Sequence, residues 1–473
     1  MNKVFWIQEE TTQLGQWQRQ IQEISGSPSF CVLPWIHLAT RPNGDMRICC
    51  VANASGVVDG DYTVGLVKKE DGVPANFGHD LPSESFNNDY MRSVRKTMLE
   101  GKIPASCKKC FDEESNGVVS KRVWETGTWV KKGIDIESLI QQTELDGTIP
   151  YKLQYIDLRL GHTCNLKCIM CSPHDSSKWV SDHKKVFPLF QSKLLKDQLA
   201  WDRKGFNNFW HENPDFWKEI YQQIPNIRQA YFAGGEPLMI REHKLFLEEI
   251  IRQGYENQIE LRYNSNGLLL DEEIIEIWSK FKKVKLGFSL DGIGDRVNYI
   301  RYPTDWDTVV KNLHRLDNTP DNIEVTIACA VQILNIKHIP DFIKWKISRN
   351  FKKINLNENI AGDLHAGGLF SAHLVWIPTW LSIRVLPKQH KEEVLALFED
   401  LKQWLYENYT TDDDFWNKNP YGWKRWQGIL NWMMEEDHSN LLPDFKEYIQ
   451  RMDNVRNTNF HQVFPELSSL IQG

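Results

Sequence analysis

The sequence lacks the features that would place it in a membrane, outside the cell or on nucleic acid. Its apolar stretches fall short of the roughly 20 residues that a membrane-spanning helix needs, and the apolar segment near its start is too short for a signal peptide. The net charge is −7, so no broad basic surface indicates nucleic-acid binding. We therefore expect a cytoplasmic protein with no membrane and no nucleic-acid partner.

Internal repeats and low-complexity tracts are also missing, so the chain does not have the pattern of a repeat protein. Cysteine is sparse, with nine residues that are mostly clustered, which suits metal ligation in a reducing compartment better than disulfides. Hydrophobic residues at 41% and charged residues at 25% are typical of a soluble globular protein. The length of 473 residues predicts two or three domains.

Three of the cysteines lie within eight residues, directly after the strand-like run 155–160. Cys164, Cys168 and Cys171 have the spacing C-x3-C-x2-C. Each iron of a cubane iron–sulfur cluster takes one thiolate, so three cysteines leave the fourth iron open to a substrate or cofactor. Three thiols are a poor disulfide set because one is left over. A zinc site stays possible, since His162 precedes Cys164 by two residues.

Three further segments each follow a predicted strand. Residues 231–237 run from a strand into a glycine pair, a carboxylate and a proline, and glycines let a ligand approach the backbone closely. Glu236 offers an acceptor for an ammonium group, although such a segment can also be an ordinary turn. Residues 261–267 end a second strand with small polar side chains, and residues 285–292 end a third, after which comes Arg301.

The order of these segments resembles the radical S-adenosylmethionine (SAM) superfamily, over about residues 150 to 390. In that family three cysteines hold a [4Fe–4S] cluster, a Gly-Gly-Glu-Pro motif holds the methionine amino group of SAM, and polar residues of later strands lie near its ribose and carboxylate. Met170 departs from the pattern, because the family usually has an aromatic residue there that packs on the adenine. The resemblance assigns the cluster to Cys164, Cys168 and Cys171. It assigns cofactor binding to Gly234, Gly235, Glu236, Pro237, Ser265, Asn266, Ser289, Asp291 and Arg301.

A second set of cysteines lies nearer the start of the chain. The sequence predicts strands at residues 30–35 and 45–49, with an Asn-Gly hairpin signal between them. The hairpin and a later C-x2-C pair would supply four thiolates to one closed site, which suits an iron–sulfur cluster or a structural zinc ion. The four cysteines of this set are Cys31, Cys49, Cys107 and Cys110.

This second set resembles the twitch and SPASM auxiliary-cluster domains of radical SAM enzymes. Twelve residues separate Cys31 from Gly44 and four separate Gly44 from Cys49, which fits the start of such a domain. The C-x2-C pair would complete one cluster, whereas a full SPASM domain has further cysteines for a second. The resemblance therefore implies an N-terminal twitch domain with one auxiliary [4Fe–4S] cluster. The role of Cys50 is open, although the spacing from Gly44 favours Cys49 as the ligand.

The remaining pattern predicts the fold. Six strands, from Tyr155–Leu160 to Lys353–Asn357, alternate with helices, which indicates an α/β fold with a parallel sheet. By resemblance this is a partial (β/α)6 TIM-like barrel, preceded by a small α+β iron–sulfur twitch domain and followed by a helical C-terminal region. We expect these three domains at residues 26–115 (twitch), 150–387 (barrel) and 388–473 (helical).

Two features of the predicted barrel bear on the substrate. Asp157 and Arg159 alternate onto one face of the first strand, where they could form an internal salt bridge or contact a substrate. The gap between the first two strands, residues 172–226, is long and rich in aromatic residues. These aromatic residues could cover a pocket or pack between helices.

Taken with the resemblance, these features predict a radical SAM oxidoreductase that cleaves SAM reductively and abstracts hydrogen from its substrate. The implied cofactors are SAM and two [4Fe–4S] clusters, with flavodoxin or ferredoxin as the electron donor. A peptide is the favoured substrate and a small metabolite the next, and no catalytic acid or base is assigned. The alternative is a non-catalytic scaffold that binds zinc or iron–sulfur clusters.

The metal of the purified protein separates the radical enzyme from a zinc scaffold. We expect a brown protein, because iron–sulfur clusters absorb visible light, whereas a zinc site has no colour because Zn²⁺ has a filled d shell. The measurement is an absorption spectrum of anaerobically purified protein before and after dithionite. A colourless preparation that contains zinc would contradict the prediction.

Overall fold

A computed structural model describes residues 13–52, 65–115, 119–201, 209–354, 370–418 and 422–472. Within these ranges the strands β1 to β8 are His37–Thr40, Met46–Arg47, Tyr155–Arg159, Gln229–Ala233, Glu260–Ser265, Lys283–Ser289, Ile323–Val331 and Ser371–Leu374. The helices α1 to α19 are Gln13–Ser25, Leu33–Ile36, Pro82–Phe86, Asp89–Leu99, Lys108–Ser115, Lys121–Lys131, Ile136–Gln141, Trp179–Val186, Lys193–Leu199, Pro214–Gln223, Arg241–Gln253, Glu272–Ser279, Asp295–Ile300, Trp306–Asp317, Ile339–Ser348, Lys388–Asn408, Trp423–Glu435, Leu442–Arg456 and Phe460–Val463.

Short turns of 3₁₀-helix connect these elements, at Ala105–Cys107, Phe187–Leu189, Trp210–Glu212, Pro237–Met239, Glu256–Gln258, Thr379–Leu381, Ile383–Val385, Ser439–Leu441 and Pro465–Leu470, and a π-helical turn lies at Asp414–Lys418. Polar residues cap several helix starts. The side chains of Asn88, Ser120 and Asp271 each accept a backbone N–H from the first turn of α4, α6 and α12. None of the described helices combines the length and the apolar character that crossing a membrane requires.

Contacts between residues divide the chain into two compact units. The first comprises residues 1–161, 207–234 and 241–261, and the second comprises residues 162–206, 235–240 and 262–473. Strand β5 begins in the first unit and ends in the second.

The first unit contains a sheet with the strand order β2-β1-β3-β4. Strand β1 is antiparallel to β2 and parallel to β3, with His37 opposite Tyr155. Strand β3 is parallel to β4, with Asp157 opposite Tyr231. The hairpin turn lies where the Asn-Gly signal predicts it, and Gly44 there has a positive φ of 90°.

The strand predicted at residues 30–35 is wrong. Leu33–Ile36 forms a short helix, and the strand of the hairpin begins only at His37. Pro34 lies in the first turn of that helix, where a missing backbone N–H is tolerated and the fixed φ of proline favours the helical backbone. Cys31 therefore precedes a helix and does not lie within the strand.

The second unit contains parallel strands in the order β6-β7-β8. Leu286 of β6 lies opposite Val325 of β7, and Ala328 of β7 lies opposite Ser371 of β8. Helices follow the strands along the chain, with α12 after β5, α13 and α14 after β6, and α15 after β7. This alternation with parallel pairing confirms the predicted α/β class.

The sixth predicted strand, Lys353–Asn357, is only partly within the described residues. Lys353 and Ile354 lie in a bend, and residues 355–357 are outside the described ranges. The strand that pairs with β7 is Ser371–Leu374 instead. The carboxylate of Asp317 accepts the backbone N–H groups of Lys352 and Lys353, so these donors are not available to a strand ladder.

Several aromatic residues of the long insertion are buried packing residues, whereas Phe209 is exposed. Trp210 and Phe216 are buried, and their ring centroids are 5.2 Å apart. The ring centroids of Phe216 and Phe77 are 5.3 Å apart. Trp217 is buried against Phe246 of α11 at 5.6 Å. Phe206, in the same insertion, lies outside the described residues.

Arg95 generates a prediction about the first unit. This fully buried guanidinium donates to the carbonyl oxygens of Pro34, Phe86 and Gly147 and to the side chain of Asn87, at 2.6 to 3.1 Å. We expect Arg95→Met to lower the free energy of unfolding by about 3 kcal/mol, because several buried carbonyls would lose their donor. Urea unfolding followed by circular dichroism measures the change.

The exposed Lys102, which pairs only with Glu100 among the described residues, is the control for this substitution. Lys102→Met should change stability by less than about 0.5 kcal/mol. Equal losses in the two variants would show that the buried hydrogen bonds of Arg95 do not stabilise the fold.

Candidate functional site

The loop that follows β3 carries the first three cysteines and is fixed through its backbone. The N–H of Ile169 donates to the carbonyl of Ile300, the last residue of α13, and the N–H of Lys167 donates to the carbonyl of Tyr302 just after that helix, both at 2.7 Å. Two side chains bond to carbonyls of the loop. Trp179 Nε1 donates to Cys168 O at 2.7 Å, and the Tyr448 hydroxyl of α18 donates to Ile169 O at 2.6 Å.

The structure brings the three thiols together. Cys164 and Cys168 are buried, and Cys171 packs against them with Leu166, Met170 and Leu268. A hydrogen bond between the two thiols lowers the pKa of Cys168 and raises that of Cys171. Burial raises the pKa of Cys164 to about 12. The thiols therefore form one small, largely water-excluded group on a rigid loop.

The glycine pair packs against the backbone of this loop. A Cβ atom on Gly235 would lie 2.2 Å from the carbonyl oxygen of Thr163, so no other residue fits there without a shift of the chain. A Cβ on Gly234, where φ is +120°, would lie 3.1 Å from the carbonyl oxygen of Gly161. The next residue, Glu236, donates its N–H to Thr163 O at 2.8 Å. The motif thus holds the cysteine loop by close backbone contact.

The carboxylate of Glu236 is buried and bonded within the protein. It accepts from Ser265 Oγ at 2.8 Å, from Asn266 N at 2.9 Å and from Leu238 N at 3.2 Å. Burial raises the pKa of Glu236, and these donors oppose that rise. In this arrangement Ser265 and Glu236 bond to each other, and the Asn266 amide donates to Asn165 Oδ1 at 2.7 Å. These bonds join segments that are far apart in the chain, so the sequence pattern does not predict them.

Asp291 and Arg301 form a buried ion pair beside the cysteines. Arg301 Nε lies 2.7 Å from Asp291 Oδ2, and the N–H of Ala330 donates to Asp291 Oδ1 at 2.7 Å. Burial raises the pKa of Asp291, while the Arg301 charge opposes that rise. Arg301 Nη1 also lies 4.0 Å from Cys168 Sγ. Ser289 ends β6, two residues before this aspartate.

The second set of cysteines lines one cavity of the first unit. Cys31, Cys49, Cys107 and Cys110 line it together with Ile48, Ser106, Lys121 and Arg122. Burial raises the pKa of Cys107 to about 12 and that of Cys110 to about 11. Burial also raises the pKa of Cys31 and of Cys49, and the neighbouring thiols add to both rises. Four thiols from three chain segments thus meet at one site.

A buried ion pair fixes two of these segments to each other. Glu114, at the end of the helix that carries Cys110, accepts Arg122 Nε at 2.9 Å and also pairs with Arg122 Nη2. Arg122 Nη1 donates to the carbonyl oxygen of Phe30, next to Cys31, at 2.9 Å.

Cys50 has different neighbours from Cys49. It is not part of the cavity lining, and it interacts electrostatically with Tyr155, Arg159 and Tyr231 on the sheet as well as with its neighbour Cys49. This geometry favours Cys49 as the member of the four-cysteine set.

Those sheet residues belong to a polar face of β1, β3 and β4. The ring centroids of Phe232 and Phe246 of α11 are 6.1 Å apart, so Phe232 faces this helix. Because successive side chains of a strand point to opposite faces, Tyr231 lies on the other face of the sheet. Asp157 and Arg159 form a salt bridge at 3.1 Å, which is one of the two alternatives that the sequence leaves open. The Arg159 guanidinium lies 5.2 Å from the Tyr231 ring centroid.

Two acceptors on this face have no partner among the described residues, Asp157 Oδ2 and His37 Nε2. His37 Nδ1 lies 3.3 Å from the carbonyl oxygen of Ile48, which can only accept, so Nδ1 carries the proton and Nε2 has a free lone pair. Burial lowers the pKa of His37 to about 4. His37 carries no signal in the sequence, because only the pairing of β1 with β3 brings it near Asp157.

The donor chemistry of both cysteine sets fits iron–sulfur clusters, because their irons take thiolate ligands and tolerate burial. Within the described ranges, no group of three or more His, Cys, Asp or Glu residues is arranged to hold a metal ion. A cubane cluster spreads its irons over a wider space than one ion occupies.

Comparisons with known proteins agree with the resemblance over part of the chain. The family model described as the Radical SAM superfamily matches residues 158–345, and this range contains all three loop cysteines and the glycine pair. Radical SAM chemistry, SAM and an iron–sulfur cluster are therefore properties of the matched family. No curated protein matches the chain.

Several solved structures are similar to parts of the chain. Native anSMEcpe with bound AdoMet is 19% identical with a TM-score of 0.34, and the match covers 57% of this chain and 63% of that one. Streptococcus suis SuiB bound to precursor peptide SuiA is 14% identical with a TM-score of 0.32, covering 72% and 66%. TYW1 with a lysine-pyruvate adduct is 16% identical with a TM-score of 0.25, covering 51% and 70%. The chain spans about three-fifths of the length of the first of these structures.

The close packing of Gly235 gives a prediction for this site. We expect Gly235→Ala to displace the cysteine loop, because its methyl group would collide with backbone atoms of Thr163 and His162. The variant should lose most of the iron that the loop cysteines bind, measured as iron per chain after anaerobic reconstitution.

The control is Gly428→Ala in α17, where an added Cβ meets nothing within 4 Å. This variant should keep the iron content of the wild type and be as stable or slightly more so, because alanine favours helix. Normal iron content in Gly235→Ala would contradict the proposed packing constraint.

Proposed function

We propose that this protein is a radical SAM enzyme whose first cluster is held by Cys164, Cys168 and Cys171. The observation that carries the proposal is the group of three thiols on one backbone-anchored loop, inside the segment that matches the superfamily. Three cysteine ligands leave one iron of a cubane cluster without a protein ligand. When the cluster and SAM are bound, the chemistry they supply is reductive cleavage of SAM and hydrogen abstraction by the deoxyadenosyl radical.

The protein residues have holding and positioning roles in this proposal. The Gly234–Pro237 segment keeps the cysteine loop in place through Gly235 and Glu236. Ser265 and Asn266 order the end of β5 against Glu236, so that polar groups of that strand end stay beside the loop. Arg301 brings a positive charge near Cys168, with Asp291 as its counter-charge. Ser289 and Pro237 complete the cofactor set that the resemblance assigns.

We further propose that Cys31, Cys49, Cys107 and Cys110 hold an auxiliary [4Fe–4S] cluster in a twitch domain. Their shared cavity and the buried Glu114–Arg122 pair support this assignment. Four protein ligands leave no iron open, so the role of such a cluster is electron transfer and not substrate binding. This role suits a net oxidation of the substrate, with flavodoxin or ferredoxin as the external donor.

The substrate in this proposal is a peptide, with a small metabolite as the second class. The polar face of β1, β3 and β4 supports a substrate contact, because Asp157 Oδ2 and His37 Nε2 both need a donor. A hydroxyl or amide N–H would satisfy them. Arg159 is partly exposed, so this face is open to solvent at one end.

Counting iron and detecting deoxyadenosine tests the assignment of both clusters. We expect reconstituted wild-type protein to hold about eight irons, four for each cubane, and to release deoxyadenosine with dithionite and SAM. Cys164→Ala should hold about four irons and release none, whereas Cys31→Ala should hold about four and still cleave SAM.

Cys50→Ala is the matched control and should behave as the wild type, because this thiol does not line the cavity. If Cys50→Ala lost about half of the iron, Cys50 and not Cys49 would be the ligand of the auxiliary cluster. Zinc in place of iron, without deoxyadenosine, would leave the metal-binding scaffold as the function.

A further inference from the structure

A buried group of charges lies beneath the cysteine loop of the second unit. Asp182 of α8 is nearly inaccessible and has a cation at each carboxylate oxygen. Lys167 Nζ, from the loop itself, lies 2.6 Å from Asp182 Oδ1, and Arg456 Nε, from the last turn of α18, lies 2.9 Å from Asp182 Oδ2. One negative charge thus faces two positive charges, and the group carries a surplus of one positive charge.

Arg456 has donors left over. Its side chain is 2% exposed, and Nη1 and Nη2 are buried without a hydrogen-bond partner in the described part of the chain. Buried guanidinium donors without acceptors are rare, because losing their water is costly. The guanidinium lies between two rings, 5.0 Å from the centroid of Trp179 and 5.4 Å from that of Tyr302. These rings fix its position beneath the loop.

The same elements bond directly to the cysteine loop. Trp179, under Arg456, donates to the carbonyl oxygen of Cys168, and Tyr302 accepts the N–H of Lys167 through its own carbonyl. Tyr448 and Arg456 are eight residues apart and share one face of α18, and Tyr448 donates to Ile169 O. Helix α18 is therefore bonded to the loop directly through Tyr448, and Arg456 contacts the residues that hold the loop.

Two guanidinium groups lie near Cys168. Arg301 Nη1 is 4.0 Å from Cys168 Sγ, and the Arg456 guanidinium packs on the ring of Trp179, whose indole donates to the carbonyl oxygen of Cys168. Arg301 has its own counter-charge in Asp291. Asp182, by contrast, is shared between Arg456 and Lys167, so its negative charge cancels only one of them.

We propose that Arg456 raises the reduction potential of the cluster held by Cys164, Cys168 and Cys171, which makes α18 part of the cluster site. The inference rests on the proposed function and adds a positioning residue that the superfamily match, which ends at residue 345, does not include. Reduction adds one electron to the cluster, and a nearby uncompensated cation in a dry environment favours the more negative state.

A redox titration followed by electron paramagnetic resonance tests the proposal on the full-length, reconstituted protein. The signal that changes when SAM is added identifies the cluster with the open iron. We expect Arg456→Gln to lower the reduced fraction at a fixed potential about tenfold, which is a shift of about 59 mV to more negative potential for one electron. Arg456→Lys keeps the charge and should restore most of the wild-type potential.

Two further variants test the sign. Asp182→Asn removes the negative charge and should shift the potential in the opposite, positive direction. Lys167→Gln removes the other cation and should shift it negatively, which keeps the test available if Arg456→Gln does not fold. Arg451→Gln, on the same helix but without a contact to Asp182, is the matched control and should leave the potential unchanged.

The outcomes separate this inference from the proposed function. Unchanged potentials in the Arg456, Asp182 and Lys167 variants, with normal iron content, would overturn the inference alone. Shifts of the same sign in Asp182→Asn and Arg456→Gln would also overturn it, because a structural disturbance has no dependence on the sign of the charge. A wild-type protein that binds no iron would overturn the proposed function and the inference with it.

Discussion

The close contact between Gly235 and the cysteine loop is the constraint on which the candidate site of the second unit depends. Because Gly235 has no side chain, the backbone after β4 can approach Thr163, and the N–H of Glu236 can donate to the same carbonyl. The Glu236 carboxylate is then positioned to accept from Ser265 and from the N–H of Asn266. One missing side chain therefore lets three separate chain segments order one another.

Buried carboxylates have a similar organising role in each unit, with different charge balance. In the first unit Glu114 pairs with Arg122, and the remaining donor of that guanidinium holds the backbone beside Cys31. In the second unit Asp182 is shared between Lys167 and Arg456. A paired charge mainly fixes geometry, whereas an uncompensated one also changes the potential around it. The two proposed clusters would therefore sit in different electrostatic surroundings.

The sequence predicted the buried parallel strands well. Gln229–Ala233 has the predicted bounds, and Tyr155–Arg159 ends one residue earlier than predicted. These strands are recognisable because they are short apolar runs that become buried in the sheet. The errors occur where a local bond competes with the strand pattern. Pro34 starts a helix where a strand was expected, and the Asp317 carboxylate takes the backbone donors of residues 352 and 353. The short strand Ser371–Leu374 has too little hydrophobic pattern to be recognised from sequence.

The sequence by itself determined the chemistry available to this protein, because cysteine spacing and a glycine pair next to a carboxylate are local properties of the chain. The spacing of the cysteines along the chain was enough to predict two groups, the three loop cysteines and the four-cysteine set. Only the tertiary structure decided which groups face each other, since Glu236 with Ser265, His37 with Asp157, and Arg456 with Asp182 are far apart in sequence. Contacts of this kind depend on strand register and helix packing, which spacing along the chain does not encode.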